Sequence, residues 1–125
     1  MKYIHLFADE FGESHFEDCE LVMVERDYAP PANPLLVSEQ FPATAFKVLV
    51  PPVGWVGDWH PVPRRQWLQV LSGTMDMAVS DGEVRSIKAG DLLLAEDTGG
   101  RGHHSTNTGG APLIVAAAVC AESVP

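Results

Sequence analysis

The sequence has little cysteine, and this shortage argues against a disulfide scaffold. Its two cysteines, Cys19 and Cys120, lie far apart in otherwise apolar segments. Neither cysteine has metal-type spacing with another cysteine or with a histidine. We therefore expect buried, reduced thiols that pack as small hydrophobic groups.

Positive charge and long hydrophobic runs are also lacking. The chain has 8 lysines and arginines against 17 aspartates and glutamates, a net charge of −9. This balance argues against nucleic acid or an anionic membrane as the main partner. No apolar run reaches the roughly 18 residues of a membrane-spanning helix. The start, MKYIHLFADEFG, has acidic residues where a signal peptide has its apolar centre, so we expect a cytoplasmic protein.

The sequence shows no helical period, and short strand patterns take its place. Ten prolines and eleven glycines in 125 residues leave little room for long helices. In TMDMAVS, the side chains of Met75, Met77 and Val79 fall on one face of a strand. Asp81-Gly82 follows as a two-residue hairpin turn. Closely spaced strands with Gly and Pro between them predict an all-β fold, an antiparallel barrel or sandwich.

The last apolar segment, LIVAAAVCA, predicts a strand that is covered on both faces. Its three consecutive alanines, 116–118, fill a core poorly, so we expect an interior open enough for a ligand. The doubly apolar strand and the edges of a short barrel need cover, which favours a homodimer. The proline-rich segment 26–34 predicts a loop.

The stretch from Gly57 to Asn107 resembles the two-motif signature of the cupin superfamily. In the first motif, His60 takes the place of the first histidine, Val62 that of the second, and Gln66 that of the glutamate, counted back from Gly73. The second motif begins at Gly90 and includes Gly100, and His103 with Asn107 fits its His-xxx-Asn ending. The resemblance implies a cupin-type jelly-roll barrel, a double-stranded β-helix. It would form a single domain over residues 1–125, with a barrel core at about 40–121 and N-terminal strands and a Pro-rich loop in 1–39.

Metal-binding cupins use three histidines and a glutamate, and this sequence departs from that set. Val62 removes one imidazole, and the neutral amide of Gln66 replaces the carboxylate. A metal would have to be bound by His60, Gln66 and His103, with His104 as a further candidate ligand. These donors carry no charge to balance a divalent cation. We therefore expect either no cofactor or one divalent metal ion.

The same residues suit acid–base chemistry on a small molecule. A free imidazole has a pKa near neutral pH, so histidines such as His60 and His103 are candidates for moving protons, and Gln66 could orient a carbonyl or hydroxyl group. His104 should face away from the pocket if His103 faces into it. Further candidates for substrate binding share an aromatic, thioether, cationic or imidazole side chain in this stretch: Trp59, Arg64, Arg65, Met75, Met77 and His104. The two arginines could instead pair with local acids such as Glu96 and Asp97.

Three functions follow from these residues. The first is a small-molecule-binding cupin with non-redox acid–base activity: an isomerase, cyclase, decarboxylase or lyase with His60, His103 and Gln66 as catalytic residues. The second is a metal-dependent cupin such as a dioxygenase. The third is a ligand-binding barrel without catalysis.

Overall fold

The computed structural model describes residues 1–122, and all of their regular secondary structure is β-strand. The predicted all-β class is therefore confirmed. No helix that could cross a membrane is found in residues 1–122. The strands are β1 (Lys2–Ala8), β2 (Ser14–Glu20), β3 (Met23–Arg26), β4 (Leu35–Ser38), β5 (Ala43–Leu49), β6 (Val56–His60), β7 (Gln66–Ser72), β8 (Thr74–Val79), β9 (Val84–Lys88), β10 (Leu92–Ala95), β11 (His103–Asn107) and β12 (Ile114–Cys120).

Ten of these strands form two sheets that enclose the core. The larger sheet has six strands in the order β2-β1-β10-β7-β12-β5, and the smaller has four in the order β6-β11-β8-β9. The buried core takes side chains from both sheets, for example Leu6 and Val70 from the first and Met77 and Ile87 from the second. Burial of these apolar side chains between the sheets is the main stabilising contribution.

Strand β8 shows how the sequence pattern sets the local structure. Met75, Met77 and Val79 are all buried, and the residues between them are half-exposed. The chain reverses at Gly82, whose φ of 101° lies in the left-handed region that glycine adopts without strain. Strand β9 then pairs antiparallel with β8, from Ala78–Val84 to Thr74–Lys88. The predicted hairpin is confirmed, but its turn is not the predicted two-residue one. The Val79 amide donates to the Glu83 carbonyl at 3.0 Å, so residues 80–82 form the loop, and of these three Gly82 alone has a positive φ.

Strand β12 lies between β7 and β5 in the larger sheet. Its six residues other than Ile114 are Val, Ala or Cys, and most of the strand is buried, as its apolar sequence predicts. The alanines do not create the interior space that the sequence suggested. The two sheets enclose a cavity, and none of the three alanines lines it. Ala117 packs in the apolar core, and its two neighbours point to the opposite face of the sheet.

The segment from His15 to Glu25 mixes large apolar with acidic residues, a pattern typical of one half-exposed strand, but it contributes to two strands, β2 and β3. Strand β2 ends where the Leu21 amide donates to the Met1 carbonyl at 2.7 Å, at the start of its partner β1. The chain then leaves the larger sheet, and β3 pairs only with β4. The predicted loop falls between β3 and β4.

Polar contacts at one end of the molecule join the two sheets. Ser14 of β2 donates from its hydroxyl to the Gly102 carbonyl at 2.6 Å, and the Ser80 amide donates to the Ser14 hydroxyl at 2.8 Å. Nearby, the ring of His15 lies between the carboxylates of Asp9 (2.7 Å) and Asp81 (2.8 Å). These contacts hold the loop before β11 against the larger sheet, and β11 carries His103.

Candidate active site

A cavity of about 120 Å³ lies between the two sheets. Its wall is mainly apolar and includes Met75, Met77 and Leu68, together with side chains from β5, β12 and the loops before β6 and β7. Four polar side chains interrupt this wall: His60, Gln66, His103 and Ser105. A mainly apolar wall with a few convergent polar groups is typical of a small-molecule site.

The two cavity histidines lie directly opposite each other on neighbouring strands. His60, at the end of β6, pairs with His103, at the start of β11, and their ring centroids are 4.8 Å apart. The next pair is Gly57 with Ser105, so three steps along β6 match two along β11. This irregularity is a β-bulge, and it turns His60 to the same face of the sheet as His103. Simple alternation along β6 could not have predicted this.

The backbone between the histidines requires glycine at position 102. Gly102 has a φ of 74°, and a Cβ at this position would overlap the backbone carbonyl of His60 and the nitrogen of Pro61. A side chain would therefore separate the loop before β11 from the end of β6. This close approach keeps the two imidazoles adjacent.

Asp97 is the buried partner of His103, and the sequence interpretation did not include it among the site residues. Its Oδ2 accepts a hydrogen bond from His103 Nδ1 at 2.6 Å, and its side chain is fully buried. Because the carboxylate accepts at Nδ1, the unprotonated Nε2 is left available for the cavity. The signal that could have found Asp97 is an aspartate six residues before His103, just after β10.

The other carboxylate oxygen of Asp97, Oδ1, is buried without a hydrogen-bond partner among residues 1–122. A buried carboxylate is stable only when an opposite charge or good donors compensate its lost hydration. His103 is the side-chain donor to this carboxylate within residues 1–122. The backbone of Asp97 also accepts from the Val62 amide at 3.1 Å, which ties the loop after His60 to the same residue.

A backbone carbonyl of its own strand, β6, orients the imidazole of His60. Its Nδ1 donates to the Asp58 backbone carbonyl at 2.5 Å, which leaves Nε2 unprotonated in the neutral ring. Gln66, at the start of β7, is 7% exposed and lies on the cavity wall of the opposite sheet. The structure thus brings together the three residues that the sequence indicated, His60, Gln66 and His103, and adds Ser105.

The other substrate-binding candidates divide into two groups. Met75 and Met77 line the cavity. Trp59 and His104 lie outside it with their ring centroids 5.8 Å apart, because neighbouring residues on a strand point to opposite faces. Arg65 pairs with Glu96 at 2.8 Å, as the alternative interpretation of the arginines predicted, and Arg64 approaches Glu122 at 3.6 Å.

The cysteines are both free thiols, as expected. Cys120 is buried, whereas Cys19 is only partly buried, because strand alternation in β2 places it on the face away from the core.

The donors in the cavity do not fit a tightly bound divalent metal. His60 and His103 are neutral nitrogen ligands, Gln66 offers a neutral amide oxygen, and no carboxylate or thiol lines the wall within residues 1–122. The side chain of Val62 occupies the position where the resemblance calls for a further imidazole. Metal sites of this type combine more donors with negative charge. The chemistry available to the cavity is therefore that of its own side chains.

No protein-family model matches the sequence. No curated protein matches it either.

Solved structures do resemble the chain. The cupin domain of Cnp3 from Schizosaccharomyces pombe is 12% identical, with a TM-score of 0.50 over 86% of this chain and 73% of that one. A protein with a double-stranded β-helix domain from Klebsiella pneumoniae is 28% identical, with a TM-score of 0.49 over 62% of this chain and 74% of that one. A cupin domain from Bordetella pertussis is 11% identical, with a TM-score of 0.48 over 82% and 94%. By its own sheet topology and by its similarity to the yeast domain, this chain has the fold of a small cupin, a double-stranded β-helix.

Proposed function

We propose that the cavity binds a small organic molecule and that the protein catalyses non-redox acid–base chemistry on it. Isomerisation, cyclisation, decarboxylation and elimination all belong to this class. The observation that carries the proposal is the facing pair His60 and His103, with the buried Asp97 behind His103. Two oriented imidazoles at one wall can remove a proton from one atom of a substrate and deliver a proton to another.

The two histidines have different partners, and this difference assigns their roles. Asp97 accepts from Nδ1 of His103 and leaves Nε2 available to the cavity, so His103 suits the role of general base. His60 donates to a neutral carbonyl, and its position facing His103 suits the transfer of a proton to a second substrate atom. Gln66 and Ser105 can donate hydrogen bonds to an oxygen on which negative charge develops.

The volume of the cavity limits the ligand. An engineered cavity of about 150 Å³ accommodates benzene, and this cavity has about 120 Å³. The mostly apolar wall favours a compact ligand with one or two polar groups over a sugar or a nucleotide. A small carbonyl compound satisfies both conditions.

Proton abstraction next to a carbonyl gives a direct test. Cyclohexanone and 2-ketobutyrate would be incubated with the protein in D₂O, and deuterium incorporation would be followed by ¹H NMR. We expect exchange above the buffer rate, reduced at least about 100-fold in His103→Asn and in His60→Asn, since general acid–base groups contribute about 10²–10⁴-fold. His104→Asn is the matched control, because His104 lies next to His103 but outside the cavity.

Each alternative function has its own outcome in this experiment. Exchange that requires added Fe²⁺ or Mn²⁺ and is abolished by a chelator would favour the metal-dependent cupin and contradict acid–base catalysis by the side chains alone. Binding of these carbonyl compounds without exchange, unchanged in His60→Asn and His103→Asn, would favour the non-catalytic barrel.

We also propose that the protein is a homodimer. All seven residues of the edge strand β5 are exposed, including Phe46 at 71% and Val48 at 51%. The β3–β4 hairpin adds further exposed apolar side chains, among them Leu36 at 63%. An unpaired strand edge beside exposed apolar groups favours association with a second copy.

A further inference from the structure

A second group of potential metal ligands lies on the outer face of the larger sheet. In β1, Leu6 packs in the core, so its neighbour His5 points to the outer face. In the antiparallel pair β1–β2, His5 lies opposite Glu17, and Tyr3 lies opposite Cys19. One ligand atom from each of His5, Glu17 and Cys19 can be chosen so that all three lie within 4.8 Å of one another.

A second carboxylate, that of Glu96, orients the ring of His5 through the nitrogen that does not contact Glu17. Its Nε2 is 2.7 Å from a Glu96 oxygen, and the other Glu96 oxygen accepts from Arg65 at 2.8 Å. A histidine whose far ring nitrogen donates to a carboxylate is the usual arrangement of a metal ligand, because the contact fixes the tautomer and makes the other nitrogen more basic. Donation from Nε2 to Glu96 directs Nδ1 of His5 towards Glu17, at 2.6 Å.

We propose that His5, Glu17 and Cys19 bind a divalent cation of the zinc type. One imidazole, one carboxylate and one thiolate give two negative charges, which balance the charge of the ion. The cation would replace the proton between His5 and Glu17 and the proton of the Cys19 thiol. A thiolate ligand selects Zn²⁺ and similar ions over Mg²⁺ and Ca²⁺, which prefer oxygen.

The outer group differs from the cavity in the charge of its donor atoms, which determines whether they can balance a divalent cation. The cavity has neutral donors, whereas the outer group has two anionic ones. Its side chains are also accessible, because Glu17 is 51% exposed and His5 20%. A fourth position can therefore be taken by water. The ion would cross-link β1 to the edge strand β2, which has no other neighbour in the sheet among residues 1–122.

Titration of the full chain with Co²⁺ tests the proposal without reference to any activity. Co²⁺ replaces Zn²⁺ in such sites, and a cobalt–thiolate bond gives a charge-transfer band in the near ultraviolet. We expect one equivalent of Co²⁺ to produce this band, and Zn²⁺ to abolish it by displacement. The band should be lost in Cys19→Ser and retained in the matched control Cys120→Ser, because Cys120 is a buried thiol in β12.

Two further variants separate this site from the cavity. Glu96→Gln should weaken Co²⁺ binding by about 10–100-fold, the usual effect of losing the carboxylate behind a ligating histidine. His103→Asn should leave binding unchanged. The proposal would be overturned by a Co²⁺ titration that gives no thiolate band, or by a band that persists in Cys19→Ser or disappears in His103→Asn, with each variant shown by circular dichroism to be folded.

Discussion

The partner of each histidine, more than its position in the sequence, determines its role. His103 contacts a buried carboxylate and lines the cavity, whereas its neighbour His104 lies beside Trp59 on the other face of the strand. His5 and His15 each lie between two carboxylates at the surface. The same ring is thus an acid–base candidate, a packing group or an ion-pair partner, according to what the fold places next to it.

We expect Asp97→Asn to destabilise the protein by about 1–3 kcal/mol, the cost of weakening a charge-assisted hydrogen bond and burying an unpaired amide donor. The donor would replace an oxygen that has no partner within residues 1–122. Urea unfolding of both proteins measures the difference. Asp27→Asn, at an exposed position, is the control and should change the unfolding free energy little. An unchanged stability of Asp97→Asn would contradict the role assigned to the Asp97–His103 pair.

The ion pairs of His15 predict how stability depends on pH. Hydrogen bonds to Asp9 and then to Asp81 raise the pKa of His15 above its usual 6.5, and the hydrogen bond from His15 lowers the pKa of Asp9 below 3.8. A raised histidine pKa stabilises the folded state at low pH, and this contribution is lost as the pH rises through the folded-state pKa. A lowered aspartate pKa stabilises the folded state at higher pH and is lost as the pH falls.

His15→Gln should therefore lower the free energy of unfolding most between about pH 4 and pH 6.5, where His15 is charged and both aspartates are ionised. The difference from the unsubstituted protein should shrink as the pH rises above the raised pKa of His15. Urea unfolding at a series of pH values measures both. A difference that stays constant between pH 5 and pH 9 would show that His15 acts through packing alone.

At the scale of single elements, the loop between β10 and β11 decides whether the site exists. It supplies Asp97, and Gly102 in the same loop allows the backbone to approach His60 closely. The strands on either side are predictable from their apolar alternation. The conformation of the loop cannot be predicted in this way, because it depends on the close approach of Gly102 to the backbone carbonyl of His60, about 40 positions earlier in the chain.

Gly102→Ala should destabilise the protein by at least about 1–3 kcal/mol, the usual cost of a non-glycine residue in a left-handed conformation, with the overlap on the His60 backbone in addition. It should also move the imidazole NMR signals of both His60 and His103. Gly99→Ala in the same loop is the control, because a Cβ at position 99 would have no neighbour within 4 Å and the φ of Gly99 is not positive. Equal thermal stability of the two variants would contradict this account of the loop.

At the scale of the whole molecule, the apolar surface is distributed unevenly. Strand β5 has a neighbour on one side only, and its outer apolar side chains are open to solvent. Val84 of β9 is exposed to a similar extent, at 61%, but lies in the smaller sheet. A second copy that covers β5 would bury a continuous strand edge, whereas an isolated exposed valine needs no cover.

The double variant Phe46→Ser, Val48→Ser should therefore shift the protein from dimer to monomer, since each change removes apolar area from the proposed interface. Light scattering coupled to size-exclusion chromatography measures the mass directly. Val84→Ser is the matched control and should remain a dimer. A monomeric unsubstituted protein, or a dimer that persists in the double variant, would show that β5 is not the interface.

Much of the fold could be predicted from local patterns. Alternation in β8, the Asp81-Gly82 turn and the apolar run of β12 each specify structure within a few residues, because side-chain direction in a strand has a period of two. The motif spacing also selected His60, Gln66 and His103, and the structure places all three at one cavity. Their catalytic role remains a prediction.

The sequence by itself determined the all-β class and several of the strands, such as β8 and β12, because these depend on neighbouring residues. Only the tertiary structure decided which side chains meet. It placed the exposed His60 at the cavity through a bulge in β6, put Asp97 behind His103, and paired Arg65 with Glu96. Such contacts join residues that are distant in the chain, and they depend on how strands pair and loops cross, for which a single sequence carries no local signal.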